Sequence, residues 1–383
     1  MKNAAHGRTL DATQPAFAIE ELAPAHVRAI APYVPGKPIA ETARELGIPE
    51  ADILKMASNE NPLGPSPRAL EAMRGALAEL HYYPDGSGYD LKAVIARKLG
   101  VEPAMLVLGN GSNDVLELAA RAFLTPGDSA VYSQYCFLVY PLVVQAIGAR
   151  GIEVPARGFG TDLDAMAKAV RPETKIVFVA NPNNPTGTFN PWKDLRRFVE
   201  RLPKRLLVVL DEAYGEYLPD DLRSPTVAWI GEFPNLIVAR TLSKAYGLAG
   251  LRVGFGIAHP EVAELMNRVR QPFNVNHLAM AAACAALEDE AFVAKCRSVN
   301  AAGLEELRAG FERLGLESIA PHGNFITVRV GDAARIYQSL LREGVIVRPL
   351  ANYGMPEHLR VTVGLPEHNA RFLEALARAL GRS

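Results

Sequence analysis

One lysine of the sequence stands in a setting that suits a nucleophilic amine. Lys244 comes shortly after an apolar run at residues 236–239, with the hydroxyl groups of Thr241 and Ser243 before it and Arg252 after it. A Schiff base requires an amine that can lose its proton near neutral pH, and desolvation or nearby positive charge achieves this for lysine. Hydroxyl groups and a guanidinium can hold a phosphate dianion. The segment therefore suits an aldehyde that carries a phosphate, although a serine-lysine pair taken alone is more often a solvated surface pair.

A carboxylate follows another apolar run. Asp211 comes directly after residues 206–210, which are all apolar, and ligands of open α/β sheets bind beyond the carboxyl ends of the strands. A carboxylate at that place can pair with a pyridinium nitrogen, so that the ring acts as an electron sink. The same position also suits a cap on the following turn or helix. Tyr214, three positions later, can donate a hydrogen bond to a phenolic oxygen of such a ring.

Two polar loops also follow apolar runs. Residues 181–187 combine two X-Pro steps with a glycine, a rigid turn in which Asn184 either bonds a ring oxygen or simply forms the turn. A glycine-rich turn earlier in the chain places the backbone amides of Gly111, Ser112 and Asn113 at the start of a helix, where they can face an anion. This turn lacks the third glycine of a dinucleotide-binding fingerprint, and the sequence contains no P-loop.

The elements that position these side chains alternate between strands and helices. The predicted strands are buried on both faces, because their apolar residues do not alternate with polar ones; they span residues 105–108, 175–180, 206–210, 236–239 and 253–257. Amphipathic helices are predicted between them, for example at residues 113–123 and 192–202. This alternation predicts a mostly parallel sheet with helical crossovers.

The two ends of the chain differ from its middle. The C-terminal third contains charged amphipathic segments at residues 261–270, 289–314, 332–343 and 369–380, with short strands at 325–329 and 359–363, which predicts a smaller α+β domain. The first 50 residues are rich in proline apart from a helix at 39–46, and we interpret them as an arm. We therefore divide the chain into residues 1–52 (arm and part of the small domain), 53–275 (large domain) and 276–383 (small domain).

Composition excludes several classes of protein. The 383 residues contain 41 Lys and Arg against 42 Asp and Glu, so no basic field favours nucleic acid or an anionic membrane. The three cysteines form no CxxC pair and have no suitably spaced histidines, which argues against disulfides and a metal site. No apolar run reaches the length of a signal peptide or a membrane span, which predicts a cytoplasmic location.

Taken together, the motifs resemble those of the fold type I aminotransferases that use pyridoxal 5'-phosphate. The motifs are GNGSN (109–113), NPNNPTG (181–187), LDEAY (210–214) and TLSKAYGLAGLRVGF (241–255). The chain is most similar to the histidinol-phosphate aminotransferases, through residues 31–38, 57–67, 81–92, 133–149 and 271–279. The resemblance covers residues 30–380. It implies a large α/β domain with a mostly parallel seven-stranded sheet flanked by helices, a smaller α+β C-terminal domain and an N-terminal arm.

The resemblance also implies roles for single residues in holding the cofactor. Lys244 would be the Schiff-base lysine and proton shuttle, Asp211 the partner of the pyridine nitrogen, and Asn184 and Tyr214 the partners of the phenolic oxygen. The phosphate would be held by Thr241, Ser243 and Arg252 together with Gly111 and the amides of Ser112 and Asn113. Phe137 would stack on the ring, with Tyr135 as a nearby alternative.

Further implied roles concern a second subunit and the substrates. Tyr83 would reach the cofactor phosphate of a neighbouring subunit, which predicts a homodimer with shared active sites. Arg348 and Arg360, with Tyr33 from the arm, would bind the anionic group of the substrate, and Asn184 would also belong to the substrate-binding residues.

The implied reaction is transfer of the amino group of L-histidinol phosphate to 2-oxoglutarate, which gives imidazole acetol phosphate and L-glutamate. Two arginines can hold a phosphate or a carboxylate equally well, so an aromatic amino acid aminotransferase is the alternative. An enzyme similar to threonine-phosphate decarboxylase, or a regulator that keeps the fold without turnover, is a more remote alternative.

Overall fold

The computed structural model describes residues 19–32 and 36–382. The strands are β1 (Leu54–Lys55), β2 (Leu106–Gly109), β3 (Ser129–Ser133), β4 (Arg150–Val154), β5 (Thr174–Ala180), β6 (Leu207–Asp211), β7 (Leu236–Thr241), β8 (Gly254–Ala258), β9 (Ser318–Ile319), β10 (Phe325–Arg329), β11 (Val345–Ile346), β12 (Arg348–Leu350) and β13 (Met355–Thr362). The helices are α1 (Ala25–Arg28), α2 (Ile39–Leu46), α3 (Pro67–Ala76), α4 (Tyr89–Leu99), α5 (Ser112–Phe123), α6 (Val139–Ile147), α7 (Leu163–Ala169), α8 (Trp192–Arg201), α9 (Thr226–Trp229), α10 (Pro260–Arg268), α11 (His277–Leu287), α12 (Glu290–Arg313), α13 (Ala333–Arg342) and α14 (Pro366–Ala379).

The largest sheet has seven strands in the order β2-β8-β7-β6-β5-β3-β4. Neighbouring strands are parallel except that β8 runs antiparallel to both β2 and β7. The mostly parallel seven-stranded sheet is therefore confirmed. Strands β5, β6 and β7 are adjacent, so their carboxyl ends, at Ala180, Asp211 and Thr241, lie next to one another.

Helices cover both faces of this sheet because its central strands are apolar on both faces. In β6, Val208 and Leu210 belong to the core on one side, together with Phe198 of α8. Val209 belongs to the core on the other side, together with Leu116 of α5. Both faces are thus closed to water, and ligands can approach only at the strand ends.

The division of the chain into domains at residues 52/53 and 275/276 stays a prediction. That division assigns α11 to the small domain, yet α11 packs against α3 and α4, and Ala279, Ala282 and Ala283 lie in the core of the large sheet. By its packing, α11 therefore belongs with the large sheet.

The C-terminal part contains a four-stranded antiparallel sheet in the order β12-β13-β10-β9, packed against α12, α13 and α14. This agrees with the α+β expectation for the end of the chain. In the register of the sheet, Arg348 of β12 is paired with Arg360 of β13, so the two arginines lie side by side. Strand β1 pairs with β11 in parallel and joins the start of the large domain to this part of the molecule.

Among the described residues, no helix is both long and apolar enough to cross a membrane.

Candidate active site

A cleft lies where the ends of β5, β6 and β7 and the start of α5 face the antiparallel sheet. The predicted site residues that line it are Ser112, Asn113, Phe137, Asn184, Asp211, Tyr214, Thr241, Ser243, Lys244, Arg252, Arg348 and Arg360. Gly111 immediately precedes α5 beside it. Tyr83 lies outside the cleft, and Tyr33 lies outside the described residues. The structure thus gathers into one place residues that are up to 248 positions apart, from Ser112 to Arg360.

Lys244 has the electrostatic setting of a reactive amine. Its Nζ donates a hydrogen bond to the backbone oxygen of Ser58 at 3.2 Å. Burial in the cleft and, after it, the positive charges of Arg360 and Arg252 lower the pKa of Lys244 to about 7, against the opposing effect of the carboxylates of Glu60 and Asp211. A large fraction of Lys244 is therefore neutral near pH 7, as a nucleophile and proton acceptor must be.

Asp211 is a buried carboxylate held by two donors. Its Oδ2 accepts a hydrogen bond from Tyr140 Oη at 2.8 Å, and its Oδ1 accepts one from the backbone N–H of Ala213 at 3.1 Å. Burial raises the pKa of Asp211 to about 6, while these two hydrogen bonds oppose the rise. Asp211 is therefore mostly ionised at pH 7 and can pair with a cationic ring nitrogen.

Tyr214 keeps its hydroxyl proton at neutral pH. Burial raises the pKa of Tyr214 to about 12, although the charge of Arg360 and a hydrogen bond from Asn59 act in the opposite direction. Asn59 Nδ2 donates to Tyr214 Oη at 2.8 Å. Tyr214 is thus a protonated hydrogen-bond donor at the side of the cleft.

The start of α5 and the turn after β7 form what we call the helix-end corner, which consists of Gly111, Ser112, Thr241, Ser243 and Arg252. Arg252 Nη1 donates to Ser243 Oγ at 3.1 Å. Gly111 has a φ of 85°, which favours glycine, and a Cβ atom on it would lie 2.4 Å from Arg252 Nη2, so a larger residue here would displace the Arg252 guanidinium. Hydroxyl groups, a guanidinium and a helix N-terminus together form a site for a phosphate dianion.

Asn184, Arg348 and Arg360 form a second polar region, the arginine corner. Arg360 Nη1 donates to Asn184 Oδ1 at 2.5 Å, and Arg360 Nη2 donates to the backbone oxygen of Ala57 at 2.7 Å. Both arginines are only 7% exposed. Arg360 Nε is buried and has no hydrogen-bond partner among the described residues. A buried guanidinium with such a free donor, as in Arg360, is suited to an anionic ligand.

The two candidates for ring stacking occupy different places. Phe137 lines the cleft, with its ring edge-on to Tyr140 at 6.1 Å between centroids. Tyr135 packs with Phe159, at 5.7 Å between ring centroids, and with the apolar group around Leu350. The position of Phe137 favours it over Tyr135, and its stacking role stays a prediction.

The sequence did not point to every residue that lines the cleft or contacts its lining. Tyr140 lies on the apolar helix α6, where a tyrosine is normally part of the core, and no signal in the sequence sets it apart from the other core residues. Asn59 lies in one of the segments that carried the family resemblance, but no role was assigned to it. In the part of the chain that is described, no group of three or more His, Cys, Asp or Glu residues could hold a metal ion.

Comparison with known proteins identifies the family. The family model described as aminotransferase class I and II matches residues 51–379. The chain therefore belongs to the class I and II aminotransferases.

Among its most similar relatives are histidinol-phosphate aminotransferase 1 of Thiobacillus denitrificans, 61% identical, and histidinol-phosphate aminotransferase 2 of Nitrosospira multiformis, 60% identical. These alignments cover 94% of this chain and 93% and 92% of the relatives, respectively. A solved structure, the histidinol-phosphate aminotransferase of Sinorhizobium meliloti in complex with pyridoxal 5'-phosphate, superposes with a TM-score of 0.86 at 30% identity and covers 93% of this chain and 97% of that one. The predicted fold type I architecture is confirmed.

Proposed function

We propose that this aminotransferase transfers the amino group of L-histidinol phosphate to 2-oxoglutarate, with pyridoxal 5'-phosphate as its cofactor. The observation that carries the proposal is the presence of two separate sites for anions in one cleft, the helix-end corner and the arginine corner, with Lys244 in the same cavity. A cofactor phosphate needs the first site, and a substrate phosphate or carboxylate needs the second. The names of the relatives at 61% and 60% identity support the same substrate.

The residues of the cleft fit pyridoxal 5'-phosphate by their chemistry. The helix-end corner offers donors for the phosphate, and Gly111 leaves the space that Arg252 needs there. Asp211 offers an anion for the ring nitrogen. Tyr214 and Asn184 offer donors for the ring oxygen, and Lys244 offers an amine for the aldehyde. Each polar group of the cofactor thus has a matching side chain or amide.

When bound, pyridoxal 5'-phosphate would supply an aldehyde for the amino group of the donor and a ring that withdraws electrons from the neighbouring carbon. Lys244 Nζ would take the proton from the carbon that bears the amino group and deliver it to the cofactor carbon that carried the aldehyde. The carboxylate of Asp211, held by Tyr140 and Ala213, keeps the ring nitrogen protonated. Tyr214 holds its proton at the ring oxygen, because its own pKa of about 12 prevents ionisation.

Arg348 and Arg360 orient the two substrates in turn. In the first half of the reaction they hold the phosphate of the donor, and in the second half they hold a carboxylate of 2-oxoglutarate. Their burial makes each charge-assisted hydrogen bond stronger than it would be in water. One site that accepts both anions is what a reaction with two alternating substrates requires.

A donor screen tests the proposed substrate. The enzyme with bound cofactor is assayed with L-histidinol phosphate, phenylalanine, tyrosine and L-histidinol, each with 2-oxoglutarate as acceptor, and the kcat/KM values are compared. We expect L-histidinol phosphate to give the largest value and L-histidinol, which lacks the phosphate, a value lower by at least about 100-fold. A larger value for phenylalanine or tyrosine would replace this proposal with an aromatic amino acid aminotransferase.

We also propose that the enzyme is a homodimer with shared active sites. Several large apolar side chains between residues 77 and 89 are exposed, and so is Phe273, whose ring contacts Tyr83. The exposed residues are Leu77, Leu80, Tyr82, Tyr83, Tyr89 and Phe273. Tyr83 is 83% exposed and stacks on Phe273 at 4.9 Å between ring centroids. Exposed apolar side chains in number favour an interaction surface, and a second copy of the chain would cover them and receive Tyr83.

Mixing two inactive variants tests the shared sites. Subunits with Lys244→Ala and subunits with Tyr83→Ala are unfolded together and refolded, and light scattering gives the mass of the product. In a mixed dimer one site contains both changes and the other contains neither, so activity returns. A monomer, or a mixture without recovered activity, would contradict the proposal.

The cytoplasmic location remains a proposal from the sequence.

A further inference from the structure

Asn59 connects Tyr214 to the antiparallel sheet of the small domain. It is 1% exposed and has a φ of 55°, a left-handed conformation that is uncommon for residues other than glycine. Its side chain bonds Tyr214 Oη, its backbone N–H donates to Thr362 Oγ1 at 2.9 Å, and its backbone oxygen accepts from Asn324 Nδ2 at 3.0 Å. Backbone strain that the surroundings hold in place is a frequent feature of functional sites.

The hydrogen bonds around Asn59 fix the direction of each proton. The hydroxyl oxygen of Thr362 accepts a hydrogen bond from the backbone N–H of Asn59. The hydroxyl hydrogen of Thr362 is donated to Asn59 Oδ1, which lies 3.2 Å from Thr362 Oγ1. The amide oxygen of Asn59 therefore faces Thr362, and the amide nitrogen faces Tyr214. An amide nitrogen only donates, so Tyr214 Oη must be the acceptor of this bond.

It follows that the hydroxyl proton of Tyr214 is directed away from Asn59. Among the described residues, Tyr214 Oη has no other hydrogen-bond partner than Asn59. Tyr214 lines the cleft, so its proton is available to a ligand there.

We propose that Asn59 is a positioning residue that aims the hydroxyl proton of Tyr214 into the cleft, and that Thr362 sets the orientation of the Asn59 amide. Thr362 lies two residues after Arg360 on the same face of β13. The same strand therefore carries both the substrate-binding arginine and the residue that orients the proton of Tyr214. This inference rests on the proposed function, since it takes the acceptor of that proton to be the ring oxygen of the cofactor.

Substitutions of Asn59 and of Thr362 test the inference, and the measurement does not require catalytic turnover. Asn59→Asp keeps the shape but replaces the donor with an acceptor that competes for the proton of Tyr214. Asn59→Gly removes the side chain and tolerates the positive φ. Thr362→Val keeps the shape and releases the amide. Thr174→Val is the matched control, because Thr174 is also fully buried and hydrogen-bonded but lies at the start of β5, away from the strand ends that form the cleft.

The readout is the pH at which the visible absorbance of the bound cofactor changes, together with the Kd for pyridoxal 5'-phosphate, both measured without substrate. A donor to the ring oxygen stabilises its ionised form and so lowers this pH midpoint. We expect Asn59→Asp to raise the midpoint by about one unit, Asn59→Gly and Thr362→Val to raise it by less, and Thr174→Val to leave it unchanged.

The outcomes separate this inference from the proposed function. A wild-type protein that binds no pyridoxal 5'-phosphate would contradict the proposed function. A wild-type protein that binds the cofactor, with an unchanged midpoint in cofactor-bound Asn59→Asp and Thr362→Val, would overturn the inference alone. If Asn59→Asp does not fold, an unchanged midpoint in Thr362→Val is sufficient to overturn it.

Discussion

The two anion sites of the cleft are built in different ways. The helix-end corner comes from two short stretches of chain, residues 111–112 and 241–252, each of which is a turn at the end of a strand. The arginine corner joins distant parts of the chain, since Arg360 bonds Asn184 across 176 positions and Ala57 across 303 positions. One site is therefore formed by local backbone geometry, and the other by packing of the antiparallel sheet against the large domain.

This difference in construction suits the two sites to different ligands. A site formed by turns keeps its shape whenever the large sheet is folded, which suits a cofactor that stays bound through many cycles. A site that depends on packing between two parts of the molecule can change its contacts when either part moves, which suits substrates that must enter and leave. Changes in the helix-end corner should therefore alter cofactor affinity, and changes in the arginine corner should alter the choice of substrate.

The largest effect is expected at Lys244, because the reaction depends on this residue whichever ligands the two corners hold. Lys244→Ala removes the only group assigned both to hold the cofactor covalently and to move a proton, so kcat should fall by about 10⁴-fold or more. The visible absorbance that depends on the covalent link should disappear. Lys175→Ala, an exposed lysine at the opposite end of the same sheet, is the control. A rate in Lys244→Ala close to that of the wild type would refute the assignment.

The next effect is expected in the arginine corner. Arg360→Met removes a buried charge and its bonds to Asn184 and Ala57, so kcat/KM for L-histidinol phosphate should fall roughly 100-fold, which corresponds to about 2.7 kcal/mol. Arg360→Lys keeps the charge but not the fork of donors and should lose less. The Kd for pyridoxal 5'-phosphate should stay within about threefold of the wild-type value. A large loss of cofactor affinity in both variants would remove the proposed division between the corners.

The converse change lies in the helix-end corner. In Gly111→Ala the new Cβ would lie 2.4 Å from Arg252 Nη2 at a φ of 85°, so Arg252 must move away from the start of α5. We expect the Kd for pyridoxal 5'-phosphate, measured by titration of the protein without cofactor, to rise by roughly 10- to 100-fold. With saturating cofactor, the ratio of kcat/KM between L-histidinol phosphate and L-histidinol should be preserved. Gly250→Ala is the control, because a Cβ there meets open space. Unchanged cofactor affinity in Gly111→Ala would place the phosphate elsewhere.

The sequence predicted most of the large sheet because its central strands are continuous apolar runs. The runs at residues 175–180 and 206–210 match β5 and β6 to within one residue. Strands β3 and β4 were not predicted individually. Ser129 and Ser133 end the apolar run of β3, and the edge strand β4 exposes Arg150 and Gly151. Polar ends and an exposed edge remove the periodicity on which strand prediction depends.

The site was predictable to the extent that its residues lie in turns next to strands. Asp211 ends a buried strand and Lys244 follows one, so their position at the edge of the sheet could be inferred from the sequence. Tyr140 and Asn59 could not be placed in this way, because their partners lie 71 and 155 positions away along the chain. Contacts over such distances are set by the packing of whole elements, which no local pattern encodes.

The smallest effect is expected at Tyr140, which contacts Asp211 and is not in the lining of the cleft. Burial places the pKa of Asp211 at about 6, and the hydrogen bond from Tyr140 keeps it from rising further. Tyr140→Phe should therefore raise the pKa of Asp211. On acidification, the carboxylate of this variant should become protonated at a higher pH than that of the wild type. For a rise of one pKa unit, cofactor affinity should nearly match the wild type at pH 8 and be about fivefold weaker at pH 6, because the ionised fraction of Asp211 at pH 6 falls from about one half to about one tenth. Tyr132→Phe, a buried tyrosine of β3 with no bond to Asp211, is the control. Equal affinities of Tyr140→Phe and wild type at both pH values would mean that Asp211 is held by Ala213 and its surroundings alone.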